Sequence, residues 1–348
     1  MSTQEELYSR FLLQKEYLGI EKPINIKTPV VSVTVTTYQH SNYISNCLDG
    51  ILMQKTNFEF EIIIGEDEST DGTREMCIKY ADKYPDKIRL FQRDRKLSQY
   101  YENNKLVCRF NGIWNRMSSR GKYIAWCEGD DYWTDPYKLQ KQVDYLEENP
   151  SCGLMYTDYD ELNENNKVIE NNKFKNNKTI KNTFDDFLIN QWFLAPCTWV
   201  LRTSILKLID NSLLENNVVG DFPLLLGFSK YSEIAYLNES TAVYRVLENS
   251  ASHFGKTLKK EYEFWYGLYS IQLKFTTYFD VPENILRKIK EPFYTKYFVS
   301  ICLFGNTRFR KEVFCYLNPK GLIPYKHKVF FILTKFKTIK KILFLHYK

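Results

Sequence analysis

The sequence predicts an α/β fold, a mostly parallel sheet flanked by helices, followed by a helical and aromatic-rich C-terminal region. Two observations predict it. Short apolar runs rich in β-formers alternate with amphipathic segments of helical length from residue 30 to about 250, and such alternation implies right-handed crossovers between parallel strands. From about residue 256 the strand pattern gives way to long helical stretches dense in Phe, Tyr and Trp. At 348 residues the chain exceeds the usual size of one core. Three parts are expected: an N-terminal helical extension over 1–29, the main α/β domain over 30–255, and a helical region with a basic amphipathic tail over 256–348.

The strands are placed by their composition. "PVVSVTVTTY" (29–38), "FEIIIGE" (60–66), "KIRLF" (87–91), "KYIAWC" (122–127) and "CGLMYT" (152–157) are the first five. "APCTWVLR" (195–202), "EIAYL" (233–237) and "TAVYRV" (241–246) complete the same sheet.

Helices fill the gaps. Over 42–54, Ile44, Leu48, Ile51 and Leu52 fall on one face at the 3.6-residue period. A second begins after "STDGT", with Thr70 or Asp71 as cap, and buries Met76, Cys77, Tyr80 and Ala81. Another starts at "TDPYKLQ", where Thr134 or Asp135 caps and Pro136 takes a first-turn position; Leu139, Val143 and Leu146 form its apolar stripe. The Asn- and Lys-rich segment 163–182 reads as a surface loop.

Composition excludes several classes. With 44% apolar and 26% charged residues the chain is that of a folded soluble protein. It has no uncharged apolar run of 18 residues, so no spanning helix is expected. Residues 1–29 carry Glu5, Glu6, Lys15, Glu16 and Glu21 and lack the apolar centre of a signal peptide. Eight cysteines without CxxC spacing, mostly inside apolar runs, read as reduced buried thiols. Together these predict a cytoplasmic protein.

The net charge of +6 belongs to the tail. After Glu312 there are eight lysines and no acidic residue, which leaves residues 1–312 at −2. In "KHKVFFILTKFKTIKKILFLHYK" (326–348) a helix gathers Val329, Ile332, Leu333, Phe336, Ile339 and Leu343 on one side. Two readings stand: an in-plane helix on the inner membrane face, with lysines toward anionic lipid, or a terminal helix docked on the protein. No nucleic-acid recognition motif accompanies the charge, so no nucleic-acid partner is expected.

In open parallel sheets, ligands collect at the carboxyl ends of strands. Two acidic clusters lie there: "GEDESTDGT" (65–73) after the second strand and "EGDD" (128–131) after the fourth. As plain structure, each is a polar turn that caps a helix. As a site, adjacent carboxylates hold a hard divalent cation, Mg²⁺ or Mn²⁺, of the kind that bridges phosphate oxygens. The apolar strand before "EGDD" and Tyr132-Trp133 after it favour the second reading, because a buried triple carboxylate without a counterion is costly.

"VSVTVTTYQHSNYISNCLDGILMQ", "EIIIGEDESTDGT", "GKYIAWCEGDDYWTDPYKLQKQ" and "GDFPLLL…AVYR" occur in an order that resembles the inverting family 2 glycosyltransferases of the GT-A fold, particularly bacterial enzymes of surface-polysaccharide synthesis. The resemblance covers about residues 30–250. It implies a nucleotide-sugar donor, UDP-linked by expectation, a divalent metal, and single displacement at the anomeric carbon onto a saccharide or lipid-linked saccharide acceptor. It assigns Thr37, Tyr38 and Asp67 to the nucleotide, Glu128 to the ribose or a metal-bound water, and Asp130 with Asp131 to the metal. Arg245 is placed toward the diphosphate, and Asp221, opening "DFPLLLGF", is the general base. Asp221 also reads as an ordinary helix cap, and Arg245 as a structural ion pair. Trp192 and Trp199 are either an acceptor platform or core.

The sequence departs from the family pattern in four places. Glu68 stands where a small residue is common, Glu128 replaces the first aspartate of the metal motif, the histidine often found after the "YR" arginine is missing, and residues 100–121 match weakly. These departures support the alternative of a non-catalytic nucleotide- or sugar-binding scaffold. The joint presence of Asp130, Asp131 and Asp221 supports the enzyme.

Overall fold

The computed structural model describes residues 3–19, 28–102, 105–163, 168–169, 181–215, 217–247, 257–336, 339–340 and 343. The chain divides into two units, one of residues 1–184, 192–216 and 224–247 and another of 185–191, 217–223 and 248–348.

The first unit is built on a mixed sheet whose centre is parallel. Val31–Thr37 lies between Phe60–Glu66 and Tyr123–Trp126, and Ile88–Gln92 pairs parallel on the far side of Phe60–Glu66. These four strands are short apolar runs with nearly every residue buried, as a sheet covered on both faces requires. Val200–Arg202 inserts antiparallel between Tyr123–Trp126 and Cys152–Asn163. The two runs expected over 233–237 and 241–246 are one strand, Glu233–Val246, parallel to Cys152–Asn163 with register shifts near Ser240. Tyr132–Trp133 closes that side by pairing with Val243 and Ala242.

The helices that pack on this sheet follow the expected stripes in part: in Thr73–Lys83, Cys77 and Ala81 are buried, whereas Met76 and Tyr80 are half-buried. Ile44–Leu52 buries Ile44, Cys47, Leu48 and Ile51. Thr73–Lys83 starts from Gly72, at φ 100°, and its capping oxygen comes from Asp71, whose Oδ1 accepts from Thr73 N at 3.1 Å. Lys138–Glu148 starts two residues later than Pro136, with Asp135 Oδ1 accepting from Tyr137 N at 2.8 Å.

The N-terminal segment is part of this unit. Leu7 of the helix Thr3–Phe11 packs with Phe110 and Trp114. Arg10 donates to the carbonyls of Leu97 and Gln99, and Glu16–Tyr17 pairs antiparallel with Ile88–Gln92. Of the loop expected over 163–182, most lies outside the described residues.

The second unit is helical. Leu258–Tyr278, Glu283–Lys296, Phe298–Phe304 and Thr307–Leu317 surround a core of stacked aromatics. Tyr269 stacks on Phe293 with centroids 4.1 Å apart and donates to Tyr294, which donates to Glu312. Residues 217–223 pack on the longest helix, with Val218 against Gly267 and Asn217 accepting from Lys274.

Tyr325–Leu333 is only partly as the period predicted. Phe331, outside the expected stripe, is the buried residue, stacked on Phe314 at 4.2 Å. Of the expected stripe, Val329, Ile332 and Phe336 are exposed and Leu333 is half-buried, and Tyr325 is exposed as well. No helix among the described residues is long and apolar enough to cross a membrane. No disulfide links the eight cysteines, six of which are buried.

Candidate functional site

The C-terminal end of Val31–Thr37 organises both acidic loops. In register it aligns Thr37 with Glu66, and Glu66 with Gln92. Past the ladder, Thr37 O accepts from Asp67 N at 3.1 Å, and Thr36 O accepts from Gly129 N at 2.9 Å. Two adjacent carbonyls of one strand therefore hold the loop after the second strand and the loop after the fourth side by side. The Val-Ser-Val-Thr-Val-Thr-Thr run makes this possible, since β-branched residues keep the strand extended to its last position.

Glu66 and Asp67 have different surroundings. Glu66 is buried and structural: Oε1 accepts from Ser69 N at 2.7 Å, and Oε2 pairs with Arg74. Asp67 is buried with one oxygen on Ser98 Oγ and the other 3.3 Å from Arg95 Nη1. Arg95 lies 3.6 Å over the ring of Tyr38, which is 39% exposed. Arg95 was not found from sequence; it lies in a Lys/Arg-rich stretch with no motif, and its signal is spatial. Glu68 adopts a positive φ of 62°, a backbone state favoured by glycine, which explains why a small residue suits this position. Its Oε2 accepts from Arg95 N at 2.9 Å.

The "EGDD" loop brings Glu128, Asp130 and Asp131 together, one carboxylate oxygen from each lying within 4.8 Å of the others. It is the one such group among the described residues. Asp131 is buried, and its Oδ1 accepts from Arg245 N at 2.8 Å. Burial, then the charge of Asp130, pushes the Asp131 carboxyl well above the ordinary range against the lowering pull of that N–H. The Arg245 guanidinium donates to Asp130 O and lies 4.9 and 4.8 Å from the rings of Tyr43 and Tyr132. Arg245 is thus bound to the acidic loop itself. Beneath, Trp133 donates to Cys197 O at 2.8 Å and lies 4.5 Å from Lys138 Nζ; burial lowers Lys138 to about 7.

Gly129 accounts for the close approach of loop and strand. A Cβ there would lie 2.7 Å from Thr37 Oγ1 and 2.8 Å from His40 Nδ1. Both of those polar atoms are buried without a hydrogen-bond partner, which is costly in a static interior. His40 Nε2 is 4.0 Å from Asp130 Oδ2. Burial lowers the His40 pKa, opposed by the Asp130 charge. Three carboxylates of one sign and orphaned donors or acceptors beside them fit a hard divalent cation.

Asp221 belongs to the second unit, at the first turn of Asp221–Tyr231. Its Oδ1 accepts from Phe222 N at 2.8 Å, and burial raises its carboxyl above the ordinary range. Trp199 is core, 1% exposed and edge-on to Trp126 at 6.0 Å, whereas Trp192 is half-buried. The segment after Arg245 that lacks the expected histidine is described only as far as Leu247, since residues 248–256 lie outside the described residues.

The profile described as Glycosyl transferase family 2 matches residues 32–209, just over half of the chain. An uncharacterized protein of Mycobacterium tuberculosis is 39% identical over 126 residues, covering 36% of this chain and 34% of that protein. The match thus spans about a third of the length of such relatives. TuaG of Bacillus subtilis, named as a teichuronic acid biosynthesis glycosyltransferase, is 27% identical over 228 residues, covering 64% of this chain and 82% of its own. Among solved structures, residues 1–349 of TarS from S. aureus, in complex with UDP-GlcNAc, superpose with a TM-score of 0.54 at 18% identity, covering 90% of this chain and 88% of that one. The mannosyltransferase PcManGT from Pyrobaculum calidifontis, in complex with GDP-Man and Mn²⁺, superposes with a TM-score of 0.51 at 13% identity, covering 98% and 94%. At those identities the likeness shows a shared fold.

Proposed function

The chain belongs to glycosyl transferase family 2, and from that premise we propose that it is an inverting, metal-dependent transferase that moves a sugar from a UDP-sugar to a hydroxyl of a lipid-linked saccharide in surface-polysaccharide synthesis. The observation that carries this reading is the joint anchoring of Asp67 and Gly129 on Thr37 and Thr36, which holds at one strand end the two loops that this reading gives to the base and to the diphosphate. The teichuronic acid biosynthesis named for TuaG and the UDP-GlcNAc bound by TarS support surface-polysaccharide synthesis and a UDP-sugar donor.

Each residue then has a task. Tyr38 offers a ring face for stacking a base, and Asp67 offers a carboxylate to its N–H. Asp130, Glu128 and Asp131 would hold the cation. A bound divalent cation supplies positive charge to the departing diphosphate. Arg245 fixes the acidic loop through Asp130 O and Asp131 and keeps its own charge near the site. Asp221, with its proton affinity raised by burial, accepts the proton of the attacking hydroxyl.

The acceptor's lipid would bring the enzyme to the inner membrane face. Support comes from Tyr325, Val329, Ile332 and Phe336, which are exposed at helical spacing among Lys326, Lys328 and Lys335. A non-catalytic scaffold is separated from the enzyme by donor hydrolysis. Purified protein with UDP-GlcNAc and other UDP-sugars should release UDP slowly with Mn²⁺ and not with EDTA; no metal-dependent release from any donor would reject the enzyme reading.

A further inference from the structure

We propose that His40, which no motif assigns, is a nitrogen ligand of the cation held by Glu128, Asp130 and Asp131. The inference rests on the metal-dependent reading above and adds a residue from a different loop.

The position of His40 is fixed before any ligand binds. Gln39 takes a left-handed φ of 55°, turning the chain sharply after Tyr38. The turn is bound to the loop after the second strand: Gln39 N donates to Ser69 Oγ at 3.0 Å, His40 N to Thr73 Oγ1 at 2.9 Å, and Ser41 N to Asp71 Oδ2 at 3.0 Å. On the other side His40 O accepts from Tyr43 N and Ile44 N, both at 2.9 Å, at the start of Ile44–Leu52. Such a backbone leaves little freedom beyond the two side-chain torsions.

Both ring nitrogens lie near the acidic loop. Nδ1 faces Gly129, where the missing Cβ lets it approach, and Nε2 faces Asp130 Oδ2 at 4.0 Å. That separation is too long for a hydrogen bond. It falls within the range open to two ligands of one ion: at metal–ligand distances of about 2.1 Å, donors are separated by roughly 3.0 to 4.2 Å. An independent sign is Thr37, 2% exposed, whose hydroxyl is also unpartnered and lies beside Gly129, the residue between Glu128 and Asp130 in the chain. A histidine serving only the core has its nitrogens hydrogen-bonded; this one has a partnerless Nδ1 and an Nε2 directed at a carboxylate.

One imidazole among three carboxylates changes which ion is preferred. Nitrogen donors suit Mn²⁺ better than Mg²⁺, which takes oxygen almost exclusively. His40 therefore biases the site toward Mn²⁺.

The test is pulsed EPR of Mn²⁺-loaded full-length protein, unlabelled and labelled with ¹⁵N-histidine, beside His40→Gln and His40→Asn. The expected result is a histidine nitrogen coupling that changes with the isotope and vanishes in both variants, although three other histidines remain. Mn²⁺ affinity should fall at least about tenfold in the variants, and Mg²⁺ affinity by less than about threefold. If wild-type protein binds Mn²⁺ without a histidine coupling, or the coupling survives in the variants, His40 is not a ligand and the metal reading stands. If wild-type protein binds no Mn²⁺, both readings fall. The wild-type labelled spectrum decides the matter even if a variant does not fold.

Discussion

The main-chain N–H of Arg245 donates to Oδ1 of Asp131 at 2.8 Å across a separation of 114 residues. The bond exists because Tyr132–Trp133 pairs with Val243 and Ala242, so the acidic loop is continuous with the last strand of the sheet. The loop after the fourth strand is thereby held from two sides, by Thr36 O through Gly129 and by Arg245 through Asp131.

That arrangement makes Asp131 a source of instability without a cation. Its carboxyl is raised in the folded state by burial and the Asp130 charge, whereas unfolded it titrates near ~3.9. Stability is therefore highest below the unfolded value and is lost as pH rises toward the folded one. Asp131→Asn keeps an oxygen acceptor for Arg245 N and removes the charge. In EDTA at pH 7.5 the variant should be more stable than wild type by about 1 kcal/mol or more, with the difference shrinking toward pH 4. Denaturant unfolding at both pH values measures it; equal stability at pH 7.5 would contradict the assignment.

Arg95 bridges the ring of Tyr38 and the carboxylate of Asp67. Arg95→Ala leaves Asp67 buried with only Ser98 among these partners and releases Tyr38. UDP affinity should fall by about tenfold, roughly one charge-assisted hydrogen bond, while Mn²⁺ affinity without nucleotide stays unchanged. Calorimetry of the two ligands separates these effects.

Much of this was legible in the sequence, and the reasons for the rest are physical. Strand cores such as "FEIIIGE" declare themselves by apolar content, and the parallel order follows from alternation, so both acidic loops could be placed at strand ends. The edge strand Glu16–Tyr17 is two residues long, too short for any period, and its pairing is decided by Ile88–Gln92. The single strand Glu233–Val246 looked like two because Asn238, Glu239 and Ser240 are exposed at its register shift. Arg95 and His40 carry no motif; they become site residues only when turns at Glu68 and Gln39, both at positive φ, fold their loops back on the strand ends.

Asp221 gives a pH signature. Its carboxyl is raised by burial, and the base must be ionised to act, so turnover should fall on the acid side with an apparent pKa above the ordinary value of ~3.9. Asp221→Asn should lower kcat by about 10²- to 10⁴-fold with UDP affinity retained, measured by UDP release with a competent acceptor. Retained turnover would remove Asp221 from the mechanism.

The exposed residues of Tyr325–Leu333 and of the turn after it test the membrane reading. Full-length protein should sediment with vesicles of anionic phosphatidylglycerol and much less with phosphatidylcholine, and added salt should weaken binding. Ile332→Glu with Phe336→Glu should reduce binding at least about tenfold. Sedimentation unchanged by the substitutions would place the contact elsewhere.

The central claim is that the "EGDD" loop holds a cation that the nucleotide diphosphate requires. Titration of the protein with UDP, with and without Mn²⁺, for wild type and Asp130→Ala, tests it most directly. The expected result is UDP binding that strengthens at least about tenfold with Mn²⁺ in wild type, with the Mn²⁺ effect lost in Asp130→Ala. UDP binding of equal strength with and without Mn²⁺, or an Asp130→Ala variant that keeps the full Mn²⁺ effect, would contradict it.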